Sequence, residues 1–118
     1  MFDSLKQKIF TGERALFQAD SLNIYDSVFD DGESPLKESR NINLYQSMFR
    51  WKYPLWYSRN IYLKDCTLFN TARAGIWYTD NIDMDNVTID APKTFRRANH
   101  ISLKAINFPN DWYSHLHI

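Results

Sequence analysis

Cysteine is all but missing: Cys66 is the single one among 118 residues, so no intrachain disulfide can form. It falls at a position expected in the core, where a thiol serves as a small hydrophobe rather than a nucleophile. Net charge is missing as well, with 14 Lys and Arg against 14 Asp and Glu. That balance argues against a partner gathered by bulk charge, such as a nucleic acid or an anionic membrane. No apolar run approaches the ~20 residues of a membrane span. The N-terminal MFDSLKQKIF lacks the apolar stretch of a secretory signal, so a cytoplasmic location is expected. There is no Ser–His–Asp pattern, phosphate-binding loop or zinc-ligand spacing, and nothing calls for a cofactor. The hexapeptide pattern of left-handed acyltransferase helices is also missing, because the repeats found here are about two residues longer.

What the chain does have is a repeat. One aliphatic residue recurs as Leu22, Ile42, Ile61, Ile82 and Ile101, at spacings of 20, 19, 21 and 19. Taking it as position 0, position +2 carries Ile24, Leu44, Leu63, Met84 and Leu103. Position +5 carries Ser27, Ser47, Cys66, Val87 and Ile106, and position +7 carries Phe29, Phe49, Leu68, Ile89 and Phe108. Position −6 carries Leu16, Leu36, Leu55, Ile76 and Phe95. Inward residues two apart mean strand alternation, and the step from +2 to +5 breaks it, so the chain turns a corner there. A third strand is expected around −6. Three short strands in roughly 20 residues make one turn of a β-solenoid, its coils stacked about 4.8 Å apart. The residue before the anchor (Ser21, Asn41, Asn60, Asn81, His100) suits a corner column of stacked amides, since Asn tolerates a left-handed backbone.

The expected architecture is therefore all-β: a single-domain parallel β-helix of about five rungs of roughly 20 residues. Residues 1–11 are expected to cap its start, either as a short amphipathic turn or as an incomplete coil. Residues 12–109 form the rungs, and 110–118 a tail or cap in which Trp112, Leu116 and Ile118 cover the open end. Gly32, in Asp30–Asp31–Gly32–Glu33, is the expected left-handed turn position between rungs one and two. The length changes between rungs fall after +7 and before −9, which places a variable loop on one edge of the coil.

Four stretches, DDGESPLKESRNI, RWKYPLWYSRNI, ARAGIWYTDNI and APKTFRR, resemble a family of bacterial proteins known only as a domain of unknown function. The resemblance covers roughly Phe10 to Asn110. It implies a right-handed parallel β-helix similar in architecture to pectate lyases, with further rungs after Phe108–Pro109–Asn110, where this chain departs. A truncated form or a short paralogue is the expectation. The family brings no established activity.

Function is sought among the outward columns. Position −5 reads Phe17, Lys37, Trp56, Trp77, Arg96, and position −9 reads Glu13, Glu33, Lys52, Arg73, Pro92. Position −4 reads Gln18, Glu38, Tyr57, Tyr78, Arg97, on a face the pattern leaves unassigned. Positions +1 and +3 read as an ordinary solvated face. Rings beside charges suit a sugar, whose apolar C–H face meets a ring while its hydroxyls meet Arg, Lys or carboxylate. The candidate binding residues are Glu33, Lys37, Lys52, Trp56, Arg73, Trp77, Tyr78 and Arg96. The plainer reading is that Trp56 and Trp77 stack on each other, and that Glu33, Lys52 and Arg73 form a surface ion-pair ladder of little energetic value.

Weaker candidates are Asp31 with Glu33 as a glycosidase pair, which needs about 5–9 Å between carboxylates, and Asp80, Asp83 and Asp85 as a Ca²⁺ site. A lyase base recruited from Lys37, Lys52, Arg73 or Arg96, and His115 with His117 as metal ligands, complete the set. Two function classes remain. One is a polysaccharide- or oligosaccharide-binding module or reduced polysaccharide-active enzyme. The other is a structural module that assembles into a homo-oligomer through its coil ends.

Overall fold

A computed structural model of the protein describes residues 2–109. Its strands are β1 (Asp3–Lys6), β2 (Ile9–Phe10), β3 (Asp20–Tyr25), β4 (Val28–Phe29), β5 (Arg40–Tyr45), β6 (Met48–Phe49), β7 (Arg59–Lys64), β8 (Thr67–Leu68), β9 (Asp80–Ile89) and β10 (Asn99–Asn107). Every pairing is parallel and joins one coil to the next. β1, β3, β5, β7 and β9 follow one another, β9 continues into β8, β6, β4 and β2, and β10 pairs with β9. The register sets Leu22 on Ile42, Ile42 on Ile61, Ile61 on Ile82 and Ile82 on Ile101. The anchor column of the sequence is thus a column in space, and the fold is a β-solenoid.

The N-terminal segment adds part of a further coil rather than an amphipathic turn. Asp3 lies on Leu22 and Leu5 on Ile24, while Phe10 lies on Phe29. That makes about six turns of about 19 residues. Of the two expected alternatives the incomplete coil is the one formed, with Asp3 in place of the aliphatic anchor. The residues expected to form a C-terminal cap, and His115 and His117, lie outside the described residues.

Position −6 supplies inward side chains, with Leu36, Leu55 and Ile76 fully buried, but not a third strand. Positions −8, −6 and −4 take positive φ in coil after coil, as in Ser34 (57°), Leu36 (58°) and Glu38 (56°). These bends contract the segment while its amides still reach the neighbouring coil: Leu55 donates to the Pro35 carbonyl at 3.0 Å and Ile76 to Pro54 at 2.7 Å. A left-handed backbone costs a non-glycine residue about 1–2 kcal/mol. Full burial of a Leu or Ile side chain returns about 1.5–3 kcal/mol, so the column is held by packing.

The −1 corner is left-handed too, and here the side chains form a ladder. Asn41 Nδ2 donates to Asp20 Oδ1 at 3.0 Å, Asn60 to Asn41 at 3.1 Å and Asn81 to Asn60 at 2.8 Å. Position −3 carries a buried polar column that the hydrophobic pattern passed over: Ser39, Ser58 and Thr79. Their hydroxyls donate to carbonyls of position −6, Ser39 and Ser58 to Leu36 and Thr79 to Leu55. Positions +1 and +3 are more ordered than a solvated face requires. Tyr25 and Tyr45 stack at 5.0 Å, and burial raises the Tyr45 phenol above its ordinary pKa.

Gly32 does not take the left-handed position expected of it; the glycine with positive φ is Gly12 (85°). Gly32 is required for a different reason. A Cβ there would run into the Gly12 carbonyl of the coil above and come within 2.9 Å of the Glu13 amide.

Candidate functional site

The left-handed residue at −4 resets the in–out alternation of the chain. Positions −6 and −3 point inward, and the two residues between them both point out. Each coil therefore contributes a pair of neighbouring outward side chains: Lys37 and Glu38, then Trp56 and Tyr57, then Trp77 and Tyr78, then Arg96 and Arg97.

Down the −5 column the rings stack. Trp56 and Trp77 lie 5.1 Å apart with planes 8° from parallel, and the Arg96 guanidinium sits 5.1 Å from the Trp77 centroid. Trp56 Nε1 donates to the Ala74 carbonyl, and Trp77 Nε1 to that of Lys93 at 2.9 Å. Both acceptors lie at position −8 of the next coil, so each indole staples its coil to its neighbour. The faces of Trp77 are covered by Trp56 and Arg96, and Tyr53 packs 5.0 Å from Trp56. Down the −4 column Tyr57 and Tyr78 stack at 4.9 Å and 12°. Tyr57 is 53% exposed.

Of the candidate residues, Trp56, Trp77, Tyr78 and Arg96 form this one cluster, and Lys37 lies at its upper edge. Glu33, Lys52 and Arg73 stack at −9, where their backbone carbonyls accept from Arg14, Ser34 and Tyr53. No ion pair joins them among the described residues, so the expected charge ladder is not formed. The Lys52 ammonium lies 5.1 Å over the Trp51 ring instead. Asp31 accepts from the Gly12 amide at 3.3 Å. Asp80 is engaged by His100 Nδ1 at 2.7 Å, and among the described residues no three acidic, His or Cys side chains converge to hold a metal ion. Burial pushes the Cys66 thiol up to about 11, and its Sγ lies 3.4 Å from the Leu44 carbonyl, as fits a packed thiol.

Beside the ring columns lies an open groove of about 730 Å³, lined by Gln18, Lys37, Glu38, Ser39, Arg40, Tyr57 and Arg59. Lys37 alone of these belongs to the candidate set. The side of Tyr57 not covered by Tyr78 is turned toward the Glu38 coil, and the Lys37 ammonium lies 5.9 Å from its centroid. Gln18 Nε2 donates to Glu38 Oε1 at 3.2 Å. Arg40 Nε meets Asp20 Oδ2 at 2.8 Å. Hydrogen bonds from Asn41, Ser21 and Arg40 hold the Asp20 carboxyl down to about 2, so it is ionised at neutral pH. Position −2, reading Asp20, Arg40, Arg59, Asp80 and Asn99, is the column missed in the sequence. Its signal was two successive arginines at one coil position.

A family model described as "Protein of unknown function (DUF3737)" matches residues 3–114. No curated protein and no solved structure matches the chain.

Proposed function

The chain belongs to that family of proteins of unknown function, so its activity has to be argued from the site, and we propose that it binds a saccharide along this outer face. The observation that carries the reading is Tyr57. It is an exposed ring with one side on Tyr78 and the other beside a groove furnished with Glu38, Gln18, Arg40 and Arg59. A pyranose laid on Tyr57 places its C–H face on the ring and its hydroxyls among hydrogen-bonding groups of both kinds. Stacked coils present such groups in a straight line, which suits a chain of sugars. The pectate-lyase-like character suggested by the sequence belongs to the same reading. Trp56 and Trp77 then serve as the scaffold of the site, because their ring faces and N–H groups are already used.

The test is a glycan array probed with the purified chain and with Tyr57→Ala and Trp77→Ala variants. The expected result is a hit that disappears in Tyr57→Ala while the variant stays folded, with Trp77→Ala losing thermal stability. Turnover would then be assayed on the glycan that binds. A second reading is favoured by apolar exposure in the last described coil, where Leu103, at an inward position, is 37% exposed. In that reading the chain assembles end to end, through apolar side chains of a terminal coil. A folded multimer by sedimentation that binds no glycan would replace the saccharide reading with this one.

A further inference from the structure

The groove holds a charge arrangement that the fold alone does not explain. Arg40 and Arg59 are direct partners in the register of β5 and β7, and like charges placed opposite each other on adjacent strands are destabilising. Arg40 is compensated by Asp20 on its far side. The partner of Arg59 on its other side is Asp80, whose Oδ1 lies 2.7 Å from His100 Nδ1 and which forms no ion pair with Arg59 among the described residues. Among the described residues Arg59 forms no ion pair, and neither does Lys37, which lines the same groove. The carboxylate inside the groove, Glu38, accepts from Gln18. Two cations without an ion pair among the described residues therefore adjoin Tyr57, with the Lys37 ammonium 5.9 Å over its ring and Arg59 in the same groove.

We propose that the groove selects an anionic saccharide, its carboxylate or sulfate held by Arg59 and Lys37 while its ring rests on Tyr57. This rests on the saccharide reading above and adds the substrate class to it. A guanidinium matches the two oxygens of a carboxylate or sulfate with paired N–H donors. The ammonium of Lys37 adds a point charge from the neighbouring coil. The bound anion would relieve the Arg40–Arg59 repulsion, so binding and local stability are coupled.

The experiment is titration calorimetry of the full chain with size-matched neutral, carboxylated and sulfated oligosaccharides, with poly-glutamate and with sodium sulfate. It is repeated on Arg59→Gln. The expected result is binding of an acidic oligosaccharide that weakens with salt and falls about tenfold or more in Arg59→Gln. The unliganded variant should unfold at the same temperature as the parent or higher, because removing Arg59 also removes the repulsion. Neutral and acidic sugars binding alike, unaffected by Arg59→Gln, would overturn this inference and leave the saccharide reading standing. No sugar of any kind binding would overturn both. Poly-glutamate or sulfate alone binding as tightly as the acidic sugar would overturn the saccharide part and leave a bare anion site. A clear loss of stability in Arg59→Gln would show that Arg59 serves the fold rather than a ligand.

Discussion

Leu36 and Asn41 sit in the same coil with the same φ, +58°, and are stabilised in opposite ways. Leu36 is fully buried; its neighbours in the column are Leu16 and Leu55, and apolar contact outweighs the backbone strain. Asn41 lies at the rim, and its amide group donates to Asp20 and accepts from Asn60. In one column the residue is chosen for what surrounds its side chain. In the other it is chosen for what its backbone will tolerate. A sequence shows the second kind of bend, because Asn and Ser announce it, and conceals the first, because Leu is a poor sign of a left-handed residue.

The sharpest break of that comparison is Leu36→Ala. The cavity it leaves in the fully buried column should cost about 2–5 kcal/mol, read from urea unfolding of the variant against the parent. A loss under about 1 kcal/mol would mean that backbone strain, and not packing, dominates at −6.

Asn60 tests the other column with a smaller effect. Asn60→Val places a β-branched residue at positive φ and removes two amide links, and should cost about 1–2 kcal/mol. Asn60→Gly keeps the bend and should stay within about 0.5 kcal/mol of the parent. Glycine proving worse than valine would show that the amide ladder, rather than the backbone, sets the corner.

The smallest effect is on pH. The Asp20 carboxyl is held at about 2 in the fold against 3.8 as a free group. Its stabilising contribution is therefore complete above about pH 4 and disappears as the pH falls through about 2. Thermal unfolding from pH 6 down to pH 2 should show a shallower acid decline in Asp20→Asn than in the parent. Parallel declines would mean that the Asn41, Ser21 and Arg40 contacts do not persist in solution.

Much of the fold was legible. The columns at 0, +2, +5 and +7 are the observed core, with Ile42, Leu44, Cys66 and Leu68 all buried. Their recurrence needed nothing but side-chain alternation to interpret. The first partial coil is legible only as one of two alternatives, because Asp3 occupies its anchor position and breaks the aliphatic column. The third face reads as a strand because none of its left-handed positions carries a glycine; Gly75 lies between two of them, Ala74 and Ile76. In the site, the pairing of Trp56 with Trp77 was visible as a shared column. Lys37 shares that −5 column, whereas Arg59 and Tyr57 are not among the candidates the sequence suggests.

By itself, the sequence determined the period, the inward columns and the Asn corner, since each depends on residues a few places apart repeated every 19 to 21 positions. The tertiary structure decided which outward side chains meet. The left-handed bends at −8, −6 and −4 change the outward phase within each coil. The groove residues then come together from coils about 20 residues apart, across a stacking distance of about 4.8 Å. Whether a ring face is covered, or a guanidinium has a counter-ion, depends on that packing and on no local pattern.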